Sequence, residues 1–247
     1  MVQFAPEPII KLGFFTVTNS FLDILIIDGL LIGLAVFVSK KLKKIPGMVQ
    51  NIIEYAIEVF YNLTESIAEN RAAKIFPYFM TFFIFILLLN WTGLIPGVGS
   101  IGFFHTVEGK KELVPLFRPG SSDLNVTLAL AIVSLFATHI LSIRTVGIKD
   151  YLSRFFSLNP INLFVGIMEI VGEITKIISL SFRLFGNIFA GEVVLATVST
   201  IFAFLFPLPF MLLELIVGVV QALVFSMLTM ANMAILTTPH HEEVKSK

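Results

Sequence analysis

The chain repeatedly runs apolar for the length of a bilayer crossing, and this limits its fold more than any other feature. A spanning helix needs about 20 mostly apolar residues to cross roughly 30 Å of hydrocarbon. Such runs fall at residues 20–38, 77–95 and 124–143. Lys40, Lys41, Lys43 and Lys44 follow the first at once, and Arg144 follows the third. A longer stretch at 160–206 has no proline after its first residue, Pro207 and Pro209 break it, and a last run covers 210–236. Of the 247 residues 56% are hydrophobic and 14% charged. A soluble domain carries roughly a quarter charged residues, so an ordinary soluble enzyme is excluded. Disorder is excluded as well, because apolar surface is abundant. Ten-residue segments of alternating polarity are missing, which argues against an outer-membrane barrel. The expectation is an all-α integral membrane protein, one membrane domain over residues 1–247.

Lys and Arg counts set the orientation. With the four-lysine cluster inside, the inner segments also hold Arg71, Lys74, Arg144, Lys149, Arg154, Lys245 and Lys247. The outer segments hold only Lys11, Lys110, Lys111 and Arg118. This places the N-terminus outside and the C-terminus in the cytoplasm, with five membrane segments. Acidic and basic residues balance at 17 each, so no basic surplus points to nucleic acid. There is no cysteine, hence no disulfide framework and no thiolate metal site. The first ten residues lack a basic segment, and the first helix is expected to act as its own insertion signal.

Residues 49–70 are not a span. Ile52, Ile53, Ala56, Phe60, Leu63 and Ile67 recur at helical spacing, with Glu54, Glu58, Glu65 and Glu69 on the other side. This reads as an amphipathic helix at the cytoplasmic interface, or as one packed on a partner. Residues 102–122, with His105, Glu108, Lys110 and Lys111, read as a polar outer loop. No internal repeat appears, which counts against inverted-repeat transporters.

Length constrains the last third. One helix over 160–206 would be roughly 70 Å long at 1.5 Å per residue, more than twice the bilayer core. It must tilt strongly, curve, or break near Gly186 or Gly191. Residues 160–236 are therefore expected to form a long tilted helical hairpin.

That hairpin holds Glu169, Glu173, Lys176, Arg183, Glu192 and Glu214. Charges inside a membrane cost on the order of 2.5–3.5 kcal/mol each and default to a functional reading. Glu169, Glu173, Lys176, Arg183 and Asn187 fall on one helical stripe, joined by Ser179. The first three also suit a self-neutralising structural ladder. Arg183 has no acidic residue three or four positions away, so its carboxylate must come from another helix or subunit. Glu192 lies nine residues on, about 900° of rotation, and faces the opposite side. Glu214 and Gln221 share a face of the last helix. Arginine does not release its proton near neutrality, whereas glutamate does. A fixed cation with separate titratable acids is a device for moving ions.

Asn90–Trp91 ends the second span as a polar site or an interfacial anchor. Asp123 suits a helix N-cap and a channel mouth equally. Asp23 and Asp28 have no evident partner, and His139 reads as a hydrogen-bonded structural residue. Phosphate loops, His-x-Glu metal patterns and Gly-x-Ser-x-Gly elbows are absent. A self-contained enzyme is not expected, nor a cofactor or metal.

The segment Ser179-Leu-Ser-Phe-Arg183-Leu-Phe-Gly-Asn187-Ile-Phe-Ala-Gly-Glu192 resembles the signature of F-type ATP synthase subunit a. Asn90-Trp91-Thr-Gly-Leu-Ile-Pro96, Asp123-Leu-Asn-Val-Thr-Leu128 and Gln221-Ala-Leu-Val-Phe support it. The resemblance implies a membrane stator beside a rotating ring of c subunits, with b-type peripheral stalk subunits as further partners. Two offset half-channels would lead protons to and from the ring carboxylates. Arg183 would separate them, flanked by Ser179 and Asn187, with Gln221 nearby. Glu192 and Glu214 would line the outer half-channel, with Asn90 and Asp123 near its mouth. Glu169 and Glu173 would lie toward the cytoplasmic one. The coupling ion, H⁺ or Na⁺, is chosen mainly by the ring. A bacterial inner membrane is the expected location. Two competing readings are a stand-alone channel or secondary transporter, and a purely structural anchor. The first needs a complete path in one chain or homo-oligomer; the second predicts that Arg183 is dispensable.

Overall fold

The computed structural model describes residues 7–12, 15–95, 102–107, 110–115, 118–155, 160–201 and 206–238. A hairpin of β1 (Pro8–Leu12) and β2 (Phe15–Thr18) leads into α1 (Asn19–Lys41). Then come α2 (Met48–Ala68), a 3₁₀ turn (Glu69–Arg71) and α3 (Ala72–Thr92). A second hairpin, β3 (Gly102–Val107) and β4 (Lys110–Pro115), precedes a 3₁₀ turn at Gly120–Ser122. The remaining helices are α4 (Leu124–Val146), α5 (Ile148–Phe155), α6 (Pro160–Ile201) and α7 (Pro207–Leu236).

The chain is mostly helical, consistent with an all-α membrane fold, and carries two short antiparallel hairpins beside its helices. The stretch read as a polar loop, 102–122, contains the second of them. Both lie outside the apolar runs, where strand pairing satisfies backbone groups without a helix. Glu108 lies outside the described residues. Among the described residues, four segments are long and apolar enough to cross a membrane: Asn19–Lys40, Met48–Thr92, Leu124–Val146 and Pro207–Leu236. Helix α6, which carries Glu169, Glu173, Lys176, Arg183 and Glu192, is not among them.

Local chemistry sets the helix ends. Thr18 caps α1, accepting from Phe21 N at 3.3 Å. Gly147, at φ +94°, closes α4 with its N–H on Ile143 O, a backbone shape that glycine adopts freely. Pro207 opens α7, where a missing N–H costs nothing. Helix α6 runs unbroken through Gly186 and Gly191 for 42 residues, about 63 Å at 1.5 Å per residue.

The helices meet in two apolar clusters. Ala68, Ala72, Ile75, Phe79, Leu141, Met230, Met233 and Ala234 join α2, α3, α4 and α7. Phe82, Phe83, Ile86, Leu184, Ile188, Ala222 and Phe225 join α3, α6 and α7. Small hydroxyls link the same helices: Ser134 with Thr229 at 2.8 Å, and Thr127 with Ser181 at 3.1 Å. Such bonds suit membrane bundles, where lipid gives apolar faces no reason to prefer each other. Many large apolar side chains stay exposed, including Phe136, Phe164, Phe182 and Ile216. A surface of that kind suits lipid or another subunit.

Candidate functional site

Helix α6 divides the chain's polar groups between two faces. Leu184 and Ile188 turn inward, as do Phe185 and Ser181. Lys176, Ser179, Arg183 and Asn187 turn outward and are exposed. The spacing of three and four produces this split. Arg183 donates to Ser179 Oγ over 3.4 Å. Among the described residues no carboxylate pairs with it. It lines a cavity of about 290 Å³ between α4, α6 and α7, with Ser134, Lys176, Ser179, Thr229 and Asn232. Gln221, expected beside Arg183, is partly buried on α7 and does not line that cavity.

Toward the start of α6 the charges are paired. Glu169 meets Arg154 at 2.7 Å, and Glu173 meets Lys176 at 2.8 Å. Lys176 also donates to Asn232 Oδ1. The ladder reading therefore holds for Glu173 and Lys176, whereas Glu169 finds its cation on α5. Glu173 is 5% exposed, and its Oε2 has no hydrogen-bond partner. His139 Nδ1 and Tyr151 Oη are 2.9 Å apart. Burial, then the charges of Glu173 and Glu169, push the Tyr151 hydroxyl above its ordinary pKa. It stays protonated and can donate to Nδ1, which leaves neutral His139 its proton on Nε2.

At the other end of the bundle a second polar cluster is buried. The loop from Arg118 to Asp123 plugs between α1, α3, α4 and α6. A Cβ on Gly93 would run into the Pro119 ring, and one on Gly120 would meet Leu89 at 2.7 Å and Ile24 at 3.1 Å. Glycine there permits close approach. Asp23 accepts from Thr92 Oγ1 at 3.1 Å and from Gly120 N at 3.2 Å, partners its sequence neighbourhood did not suggest. Asp123 accepts from Asn125 N at 2.9 Å and from Ser20 Oγ at 2.8 Å. Of its two readings, this geometry favours the N-cap. Asn90 is buried and donates to Gly218 O at 2.9 Å, tying α3 to α7.

Glu192 and Glu214 converge on this cluster. The Glu214 carboxylate sits against the bare Cα of Gly191, where a Cβ would collide with it. It lies within electrostatic reach of Glu192. Facing Glu192 is Arg118, which sequence reasoning entered only as an outer charge. It is 6% exposed, donates from Nε to Ser122 Oγ at 3.0 Å, and has Nη2 3.8 Å from Glu192 Oε2. Nothing in the spacing from Arg118 to Glu192 announces the pair. Its only local signal is a basic residue before Pro119–Gly120 in an outer segment.

The family model described as ATP synthase A chain matches residues 21–234, which include all of α3, α4 and α6 and nearly all of α7. The chain belongs to the ATP synthase A chain family. Three curated relatives carry the name ATP synthase subunit a. That of Moorella thermoacetica is 32% identical over 234 residues, 95% of this chain and 97% of the relative. That of Gloeobacter violaceus is 36% identical over 201 residues, 81% of this chain and 76% of the relative. That of Geotalea daltonii is 33% identical over 208 residues, covering 83% and 81%. As an ATP synthase A chain family member with four apolar segments, it is a multi-pass membrane protein.

Among the described residues no group of three or more His, Asp or Glu side chains could hold a metal ion. The arrangement offers instead one outward cation and, on the opposite side of α6, a buried Glu214 beside a partly exposed Glu192. It can attract a passing carboxylate at one surface and hand protons along at the other.

Proposed function

We propose that the chain is the proton-conducting, non-catalytic stator subunit of an F-type ATP synthase membrane sector. Two half-channels lead to and from carboxylates on a ring of c subunits, and Arg183 separates them. The observation that carries this reading is the position of Arg183. It is exposed on the described chain, faces outward beside Ser179 and Asn187, and has no carboxylate partner among the described residues. A permanent cation in a membrane segment without an internal partner calls for one from outside. The half-turn offset of Glu192 from Arg183 supports two separate polar paths on the two sides of α6.

In this reading Glu192 and Glu214 serve the outer half-channel, and Asn90 and Asp123 frame its mouth as fixed struts. Glu169 and Glu173 border the cytoplasmic half-channel. Gln221 contributes from α7. The hairpin of α6 and α7 lies strongly tilted, because about 63 Å of helix cannot stand upright in about 30 Å of hydrocarbon. It supplies the fifth membrane segment. The α2 helix lies at the cytoplasmic interface and is available to b-type stalk subunits. The N-terminus is outside and the C-terminus inside, in a bacterial inner membrane. Each charge crossing 100 mV yields about 2.3 kcal/mol, so a ring must gather several steps per ATP. A leak past Arg183 would dissipate them.

The test uses vesicles holding the assembled complex with native Arg183 or Arg183→Ala. ATP-driven proton uptake is expected to disappear while assembly persists, and passive proton leak under an imposed potential to rise. Uptake at the native rate in the variant would overturn the reading.

A further inference from the structure

Resting on the outer half-channel of that reading, we infer that Arg118 is a positioning residue for proton transfer. It holds Glu192 as a fixed carboxylate and leaves Glu214 as the acid that takes up and releases the proton.

The geometry is asymmetric. Arg118 reaches Glu192 at 3.8 Å, while no basic side chain among the described residues pairs with Glu214. The guanidinium is built in. Its Nε is bonded to Ser122 Oγ, which donates in turn to Pro119 O at 2.9 Å. The turn carrying these residues is wedged by Gly93 and Gly120 against Pro119, Leu89 and Ile24. Arg118 is therefore fixed in position as well as in charge, since a guanidinium keeps its proton at any working pH.

Two neighbouring carboxylates away from bulk water do not both stay ionised unless a cation compensates one of them. Arg118 compensates Glu192. The site is then neutral with Glu214 protonated and carries one negative charge with Glu214 ionised. Glu214 sits in the notch over Gly191, on the side of α6 that α7 covers. The other charged or polar groups here are already engaged. Asp23 of α1 accepts from Thr92 and Gly120, Asp123 accepts from Ser20 and Asn125, and Asn90 of α3 donates to Gly218 of α7.

A charge cycle in the assembled complex tests this. ATP-driven uptake and its pH profile would be recorded for Arg118→Gln, Arg118→Lys, Glu192→Gln, Glu214→Gln and the double variant Arg118→Gln/Glu192→Gln. Glu214→Gln is expected to lower uptake at least about tenfold. Arg118→Gln is expected to lose a comparable amount, because it leaves the partly buried Glu192 carboxylate without its cation. Its pH profile should shift as Glu192 begins to titrate. The double variant is expected to return to within about threefold of Glu192→Gln in rate and to the same pH profile, the mark of a coupled pair. Arg118→Lys keeps the cation and should lose far less than Arg118→Gln, which keeps the test usable if the glutamine variant fails to assemble. A double variant no better than Arg118→Gln would overturn the inference, as would Glu214→Gln pumping normally while Glu192→Gln does not. If Arg183→Ala abolishes pumping and the cycle fails, only the role of Arg118 falls. If Arg183→Ala pumps normally, the stator reading falls first.

Discussion

The buried cluster around Arg118 and the exposed face around Arg183 hold the same type of cation in opposite circumstances. Arg118 is enclosed, fixed by Ser122 and set against Glu192. Arg183 is exposed, donates to Ser179 across 3.4 Å, and borders a cavity. Both lie in or beside apolar helices, where an uncompensated charge is costly. One cost is met within the chain and the other is left for a partner. The difference teaches where to look for function: the enclosed arginine is set against an acid of its own chain, and the open one, in the proposed reading, meets an acid that moves.

Arg183→Lys should have the largest effect on this contrast. Lysine retains the charge but loses the planar fork of guanidinium. If geometry matters at the open face, ATP-driven uptake should fall at least about tenfold, since a bidentate site does not accept lysine as equivalent. Retained uptake would reduce the open face to a simple point charge.

Asp123→Ala strikes the enclosed cluster. It removes the N-cap of α4, worth about 1 kcal/mol. It also removes the 2.8 Å acceptor of the Ser20 hydroxyl, which keeps the longer contact with Thr18 Oγ1 at 3.3 Å, a loss of about 1 kcal/mol. Thermal denaturation of the purified complex should show lower stability and poorer retention of this subunit, an effect Arg183→Ala should not share. Equal loss in both would blur the two regions.

Gly93→Ala acts on the same cluster through packing alone. Its Cβ would collide with the Pro119 ring, and overpacking of this kind costs typically about 1–3 kcal/mol. The same denaturation assay should place it at or below Asp123→Ala in severity. A neutral result would mean that the loop is not wedged.

Gly186→Ala gives the smallest change in stability and sharpens the contrast most. Nothing lies within 4 Å of a Cβ built there, so the chain itself should gain about 0.5–1 kcal/mol of helix stability. Gly186 lies on the outward side with Arg183 and Asn187. If a partner packs closely there, pumping should fall while stability rises. Unchanged pumping would mean that no partner approaches at Gly186.

Periodicity and length made much of this legible in the sequence. The apolar runs announced the helices, and the length of 160–206 announced a helix too long to stand upright. The stripe from Lys176 to Asn187 announced the outward face, because i, i+3 and i+4 neighbours share a surface whatever the fold. The Glu173–Lys176 pair was legible for the same reason. Contacts that depend on how segments return to one another were not. Arg118 and Glu192 are far apart in sequence and sit on a loop and a helix, so no period relates them. Asp23 found its donors on α3 and on the turn before α4, again beyond any local signal. The hairpin within 102–122 was not legible, because the polarity of that segment carries no register and β pairing depends on register and turns.

The central claim is that the Arg183 face of α6 meets a carboxylate-bearing ring. The cysteine-free chain permits a direct test. Single cysteines at Asn187, on the open face, and at Ser181, buried against Thr127 at 3.1 Å, would be oxidised in complexes whose ring subunit carries one cysteine beside its carboxylate. The account predicts a disulfide from Asn187→Cys and none from Ser181→Cys. Crosslinking from Ser181→Cys with none from Asn187→Cys would put the other side of α6 against the ring and contradict it.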